Sequence, residues 1–200
     1  MCRLLETIKI KNGEVFDLEL HNRRANAARR ALFGADDDLD LGEFVSGVTR
    51  AGTDRPVKCR VLFGKNVERV EYLPYRKPSV SSLKLVRSDD VEYRFKYEDR
   101  TALTALLSFK ADCDEILIVR RGFITDTSFS NVVFFDGARY LTPAAPLLAG
   151  VKRESLLREG KVAAVRMTAD DIGKYRRVFL VNSLIDLEDD VSVPVSAIKT

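Results

Sequence analysis

Three short turns, Asn12-Gly13, Gly64-Lys65-Asn66 and Asp136-Gly137, each interrupt a run of apolar and β-branched residues. Asn-Gly and Asp-Gly tolerate the positive φ that a tight hairpin needs, so each turn is expected to fold the chain back as an antiparallel pair. The expected pairs are 4–10 with 15–18, 57–63 with 67–73, and 131–135 with 139–141. In the first strand Leu5, Thr7 and Lys9 alternate with Glu6, Ile8 and Ile10, the period of two of a half-buried strand. Further strands are expected over 83–87, 115–119, 162–167 and 177–181. Helical patterns lie between them: 19–33 ending at Gly34, 41–51 ending at Gly52, 99–110, 152–158 stopped at Gly160, and a short one over 169–174. Hairpins interleaved with helices predict an α+β fold rather than a regular βαβ series. The stretch from Pro74 to Ser82 carries two prolines and three serines and reads as a linker. It divides the chain into a small N-terminal α+β domain, 1–78, and a larger C-terminal domain, 79–200.

Bulk properties narrow the function classes. A chain of 200 residues that is 46% hydrophobic and 32% charged can bury a core without staples. Its net charge of +3 is too small to make nucleic acid the expected partner. Cys2, Cys59 and Cys113 form no CxxC pair and His21 is the single histidine, so no metal site and no disulfide framework is expected. A reducing compartment follows. With neither a signal-type apolar run at the start nor an apolar stretch of membrane-spanning length, the expectation is a cytoplasmic protein without a membrane partner.

Read residue by residue, few segments offer chemistry. Thr125-Asp126-Thr127-Ser128 follows an apolar strand and reads first as a capped turn. Leu148 to Arg153 enters a helix, and helix starts present N–H groups and a positive dipole end to anions. The basic helix Arg23-Arg24 to Arg29-Arg30 reads as a solvated face. Lys96 sits among Tyr93, Phe95 and Tyr97, and a lysine in apolar surroundings more readily gives up its proton to become a usable amine.

Taken together and in order, these segments resemble the class IV aminotransferase family, the fold-type IV enzymes of pyridoxal 5'-phosphate (PLP). That family includes branched-chain and D-amino-acid aminotransferases and aminodeoxychorismate lyase. Leu5-Glu6-Thr7-Ile8 looks like its opening strand, His21-Asn22-Arg23-Arg24 like its H-x-x-R helix, and Phe95 to Arg100 like the segment around its lysine. The specific part runs from Asp114-Glu115 through Gly122 to Asn131, like D-E-x-[apolar]…G-x-[apolar]-T-E-x-S-x-x-N. It continues through Leu141-Thr142-Pro143 and Leu148 to Arg153, like L-x-T-P…L-x-G-x-x-R.

The resemblance implies a D-amino-acid-aminotransferase-like fold, a small N-terminal α/β sandwich beside a larger C-terminal pseudo-barrel, and a homodimer. It implies that Lys96 holds PLP as a Schiff base and moves the Cα proton. Asp126 pairs with the pyridine nitrogen, and Arg24 binds the phosphate. The backbone N–H groups of Val151 and Lys152, together with the Ser183 hydroxyl, complete the phosphate cup. Two residues depart from the pattern: Asp126 stands where Glu is usual, and Lys152 where a cup threonine is frequent. The chain is also short, which implies missing loops around the substrate pocket. The lysine region and Val181-Asn182-Ser183-Leu184 favour a lyase that turns 4-amino-4-deoxychorismate into 4-aminobenzoate and pyruvate for folate synthesis. An aminotransferase of branched-chain or D-amino acids is the alternative on the same scaffold. A non-catalytic PLP- or nucleic-acid-binding protein is the reading from another class.

Overall fold

The computed structural model describes residues 2–45 and 55–200. The chain divides into two units: residues up to Lys77 together with Phe95–Asp99, and Pro78–Arg94 together with Arg100–Thr200. No helix among the described residues is long and apolar enough to cross a membrane.

The first unit is an antiparallel sheet with a helix on one face. Strands β1 (Leu4–Lys11), β2 (Glu14–Val15), β3 (Val57–Phe63) and β4 (Val67–Pro74) lie in the order β2-β1-β3-β4. Both expected hairpins form, and Asn12 and Gly13 take the positive φ, 52° and 79°, that their turn requires. The return strand is shorter than expected. Asp17 turns into the left-handed region at φ 54°, and Leu18 opens helix α1 (Leu18–Phe33) instead of extending β2. Leu18 gains by this, because its side chain packs on the core. At the far end Gly34, at φ 60°, donates its N–H back to the Arg29 and Arg30 carbonyls and ends the helix. A second helix, α2, spans Gly42–Val45; Leu41 belongs to the turn before it, and 46–51 of the expected 41–51 helix fall outside the described residues.

Leu4, Ile8 and Ile10 of β1 and Cys59, Val61 and Phe63 of β3 meet Ala25 and Ala28 of α1. The two alanines let the helix settle close to the sheet. Glu6 has the same parity as Leu4 and Ile8, so the pleat directs it into this core. The solvated reading of the basic helix fails at Arg29, which is 1% exposed. Its guanidinium donates to both Asp37 carboxylate oxygens, to the Asn26 side chain and to the Lys65 carbonyl. Burial is tolerated because every donor direction finds an acceptor.

The second unit holds two sheets. Strands β5 (Leu83–Arg87), β6 (Glu115–Arg120), β7 (Phe123–Ile124) and β13 (Ile198–Lys199) form one, in the order β13-β5-β6-β7. Strands β8 (Asn131–Phe135), β9 (Tyr140–Pro143), β10 (Ala163–Val165), β11 (Arg177–Val181) and β12 (Ser192–Pro194) form the other, in the order β10-β9-β8-β11-β12. Leu117 and Val119 of the first sheet share a core with Val132, Phe134 and Val178 of the second. The odd residues of β8 turn the other way: Val133 packs with Phe179, Val181 and Leu156 of helix α4 (Val151–Arg158). The expected 99–110 helix is an α-helix, α3 (Thr101–Leu106), that tightens into a 3-10 turn over Leu107–Phe109. Pairs β5/β6, β9/β10 and β5/β13 are parallel, so the fold mixes strand directions.

Candidate active site

In the first unit two of the expected site residues are tied to neighbouring residues of β1. The Leu5 N–H donates to the Lys96 carbonyl at 2.9 Å, and the Glu98 N–H donates to the Arg3 carbonyl at 2.9 Å. The segment 95–99 thus runs antiparallel to the start of β1, with a bridge between Leu4 and Tyr97 and a salt bridge of 2.6 Å between Arg3 and Glu98. Phe95 and Tyr97 pack on the core, edge to face with each other, and Lys96 between them is half-buried. Arg24 is held by the next residue of the same strand. Its Nε donates to Glu6 Oε1 at 2.8 Å and its Nη2 to Oε2 at 2.5 Å, and His21 Nδ1 lies 2.6 Å from the same Oε2.

Burial alone would push the Glu6 carboxyl up. The Arg24 charge and the His21 hydrogen bond more than offset it and hold the group at about 2. Burial pushes His21 down, against the pull of Glu6. His21 is therefore neutral near pH 7, donating Nδ1–H to a carboxylate, and its buried Nε2 has no partner among the described residues. Glu6 is depressed in the folded state, so its stabilisation is present above its ordinary pKa of 4.5 and lost as pH falls toward 2. The stability difference between wild type and Glu6→Gln is expected to shrink by roughly 3 kcal/mol over that interval. Urea midpoints measured from pH 6 down to pH 2.5 check this; a constant difference would mean that Glu6 is not held ionised.

In the second unit the segment from Thr125 to Asn131 is a buried, internally bonded loop. Thr125 Oγ1 donates to the Ile118 carbonyl, Thr127 and Ser130 hydroxyls lie 2.7 Å apart, and Ser128 Oγ donates to Glu115 at 2.8 Å. The result is a fixed position for Asp126, 5% exposed. Asp126 Oδ1 accepts from Asn131 Nδ2 at 2.8 Å and Oδ2 from the Leu148 N–H at 2.9 Å. Asn131 Nδ2 also donates to the Leu148 carbonyl at 2.9 Å. Burial pushes the Asp126 carboxyl up to about 6, against these hydrogen bonds and the more distant Arg153 charge. Among the described residues no cation makes a salt bridge to it.

The same lacing fixes the start of α4. Gly150 precedes Val151 with no side-chain cap, and a Cβ there would fall 1.8 Å from Asn131 Oδ1. Val151 and Lys152 thus occupy the first turn of a helix whose entry is set by the partner of Asp126. The Lys152 ammonium lies 2.8 Å from Asp186 Oδ1. Ser183 sits half-buried on the turn after β11, which a bridge between Asn182 and Ile185 closes. The first unit therefore brings Lys96 and Arg24 to the start of β1, and the second brings Asp126 to the entry of α4. Sequence reasoning passed over Glu6 and Asp186. Glu6 was signalled by a carboxylate at an apolar parity of β1; Asp186, 34 residues beyond its partner, carried no signal.

The sequence pattern of amino-transferase class IV matches residues 3–189. The chain belongs to this family. Class IV enzymes are the fold-type IV PLP enzymes, and the mixed sheets above are their architecture. An uncharacterised Haemophilus influenzae protein is 31% identical over 186 residues, 92% of this chain and 98% of its own. A crystal structure from Haemophilus somnus, of a protein provisionally named 4-amino-4-deoxychorismate lyase, superposes with a TM-score of 0.89 at 28% identity. That match covers 94% of this chain and 98% of the other. A Mesorhizobium loti structure, provisionally named an amino-acid aminotransferase, has the same fold with a TM-score of 0.77 at 24% identity, covering 97% and 98%. These three proteins are matched over almost their whole length.

Proposed function

We propose that this chain is a PLP-dependent lyase that converts 4-amino-4-deoxychorismate to 4-aminobenzoate and pyruvate, a step of folate synthesis. The end-to-end likeness to the Haemophilus somnus protein carries the choice of lyase. Asp126 carries the fit to the cofactor. A buried carboxylate without a contacting cation is costly, and a protonated pyridine nitrogen is the group that relieves the cost.

When bound, the cofactor supplies an electron sink for the electrons left by proton removal. Asp126 holds the proton on the ring nitrogen. Its shorter side chain is accommodated by Asn131 and Leu148, which fix both carboxylate oxygens. Arg24 binds the phosphate by charge-assisted hydrogen bonds, and the first-turn N–H groups of Val151 and Lys152 and the Ser183 hydroxyl add donors. Asp186 draws the Lys152 side chain to itself, so Lys152 contributes through its backbone. Lys96 would anchor the cofactor and take the proton from the carbon bearing the substrate amine; loss of that proton would aromatise the ring as the ether C–O bond breaks, and the expelled enolpyruvate would take up a proton to become pyruvate. The assignment carries with it a cytoplasmic homodimer acting on a small molecule, with neither nucleic acid nor membrane as partner. Carboxylates already occupy Arg29 and Arg30, which supports leaving nucleic acid out.

An aminotransferase is the second reading, favoured by the family match itself. Incubating the PLP-loaded protein with aminodeoxychorismate is expected to release 4-aminobenzoate and pyruvate in equal amounts. Adding branched-chain or D-amino acids is expected to release no stoichiometric 2-oxo acid. Keto-acid release without 4-aminobenzoate would replace the lyase with the aminotransferase.

A further inference from the structure

We infer that Glu6 is a positioning residue for cofactor binding: it sets the plane of the Arg24 guanidinium so that the fork meets a phosphate. This rests on the phosphate role proposed for Arg24. The group is built outward from the core. His21 is 0% exposed, Glu6 1% and Arg24 16% by side chain. The two inner residues are sealed, and only the arginine reaches toward solvent. Glu6 takes Nε and Nη2 side by side, so the guanidinium cannot rotate about its bond to the chain, and its Nη1 edge points away from Glu6. His21 fixes the carboxylate in turn by donating to Oε2. Arg29, one and a half turns along the same helix, provides the contrast. It is 1% exposed, its partner Asp37 is 60% exposed, and its donors also go to carbonyls of its own unit. In that pair the arginine is the sealed member and serves packing; in the Glu6 pair the carboxylate is sealed and the arginine is the more exposed member. A preorganised fork loses less freedom when it grips a planar or tetrahedral anion, which is how orientation becomes affinity.

The test is the ratio of calorimetric Kd values for pyridoxal and for pyridoxal 5'-phosphate, measured on the full chain freed of cofactor. Glu6→Gln keeps the side-chain shape and removes the charge-assisted pair. It is expected to lower the phosphate preference by about 10-fold or more, the worth of a misplaced hydrogen bond to a charged group. In an Arg24→Ala background the same change is expected to leave the ratio alone. If Glu6→Gln does not fold, Glu6→Asp retains the charge and draws the fork inward by about 1 Å, which is expected to lower the ratio as well. A merely structural Glu6 would weaken both ligands equally and leave the ratio unchanged, which overturns the inference. Should Arg24→Ala keep the wild-type ratio, the phosphate role of Arg24 fails and Glu6 falls with it. If Arg24→Ala loses the ratio and Glu6→Gln keeps it, the positioning role alone is wrong.

Discussion

Replacing Lys96 with alanine is expected to cut turnover of aminodeoxychorismate by about 10³-fold or more while leaving the fold in place. Proton transfer by a positioned side chain is worth roughly 10²- to 10⁴-fold, and loss of the covalent anchor adds to it. The fold is expected to survive because main-chain bonds and the neighbouring side chains hold this segment. The Lys96 carbonyl accepts from Leu5, and Phe95 and Tyr97 on either side supply the packing. Alanine keeps all of these. Lys96→Arg separates charge from proton transfer, since a guanidinium keeps a cation in place but does not deprotonate in the working range. It is expected to be as inactive as the alanine variant. Formation of 4-aminobenzoate measures the loss, a thermal melt checks the fold, and borohydride reduction followed by peptide mapping reports whether cofactor is fixed to residue 96. An alanine variant with wild-type turnover would remove Lys96 from the chemistry.

Much of the first unit was legible because its information is local. Asn12-Gly13 specifies its turn through the φ preferences of the residues themselves, Gly64-Lys65-Asn66 marks the second by its turn-forming composition, and the flanking alternation specifies which faces meet. The parallel pairs β5/β6 and β9/β10 lacked any such signal. Parallel strands join through long crossovers, and no turn residue announces the pairing. The polar residues divide in the same way. Asp126, Asn131 and Gly150 lie within one recurring pattern and were found as members of it. What they do for one another, Asn131 bridging Asp126 to the Leu148 carbonyl under Gly150, needed coordinates. Arg29 was misread because a run of arginines on a helix resembles a solvated face until Asp37 and the Lys65 carbonyl are seen closing over it. Glu6 lay between these cases. The period-two pattern already placed it with Ile8 and Ile10, and a carboxylate on an apolar face requires partners. Those partners, His21 and Arg24, are 15 and 18 residues away on another element.

Gly150→Ala is expected to destabilise the ligand-free protein by about 3 kcal/mol, combining an overpacked contact with a disturbed buried hydrogen bond. The backbone is not the obstacle: φ −72° and ψ 141° suit any L-residue. The whole cost lies in the methyl group, which would stand 1.8 Å from Asn131 Oδ1. Asn131 cannot step aside cheaply, because its Nδ2 serves both Asp126 and the Leu148 carbonyl. If it rotates away, Asp126 loses one of its donors in a site where burial already pushes its carboxyl up to about 6. If instead the start of α4 moves, the Leu148 N–H is drawn off Asp126 Oδ2 and the first-turn N–H groups shift with it. Either way one substitution damages both the proposed partner of the ring nitrogen and the proposed phosphate cup, so PLP affinity is expected to fall along with stability. The melting temperature should drop by about 10 °C for a chain of this size. Trimming the obstruction with Asn131→Ser is expected to make the double variant less destabilised than the sum of the two singles, which is the signature of a direct clash. A Gly150→Ala protein as stable as wild type, or strictly additive singles, would mean that the helix entry and Asp126 are not locked together through Asn131.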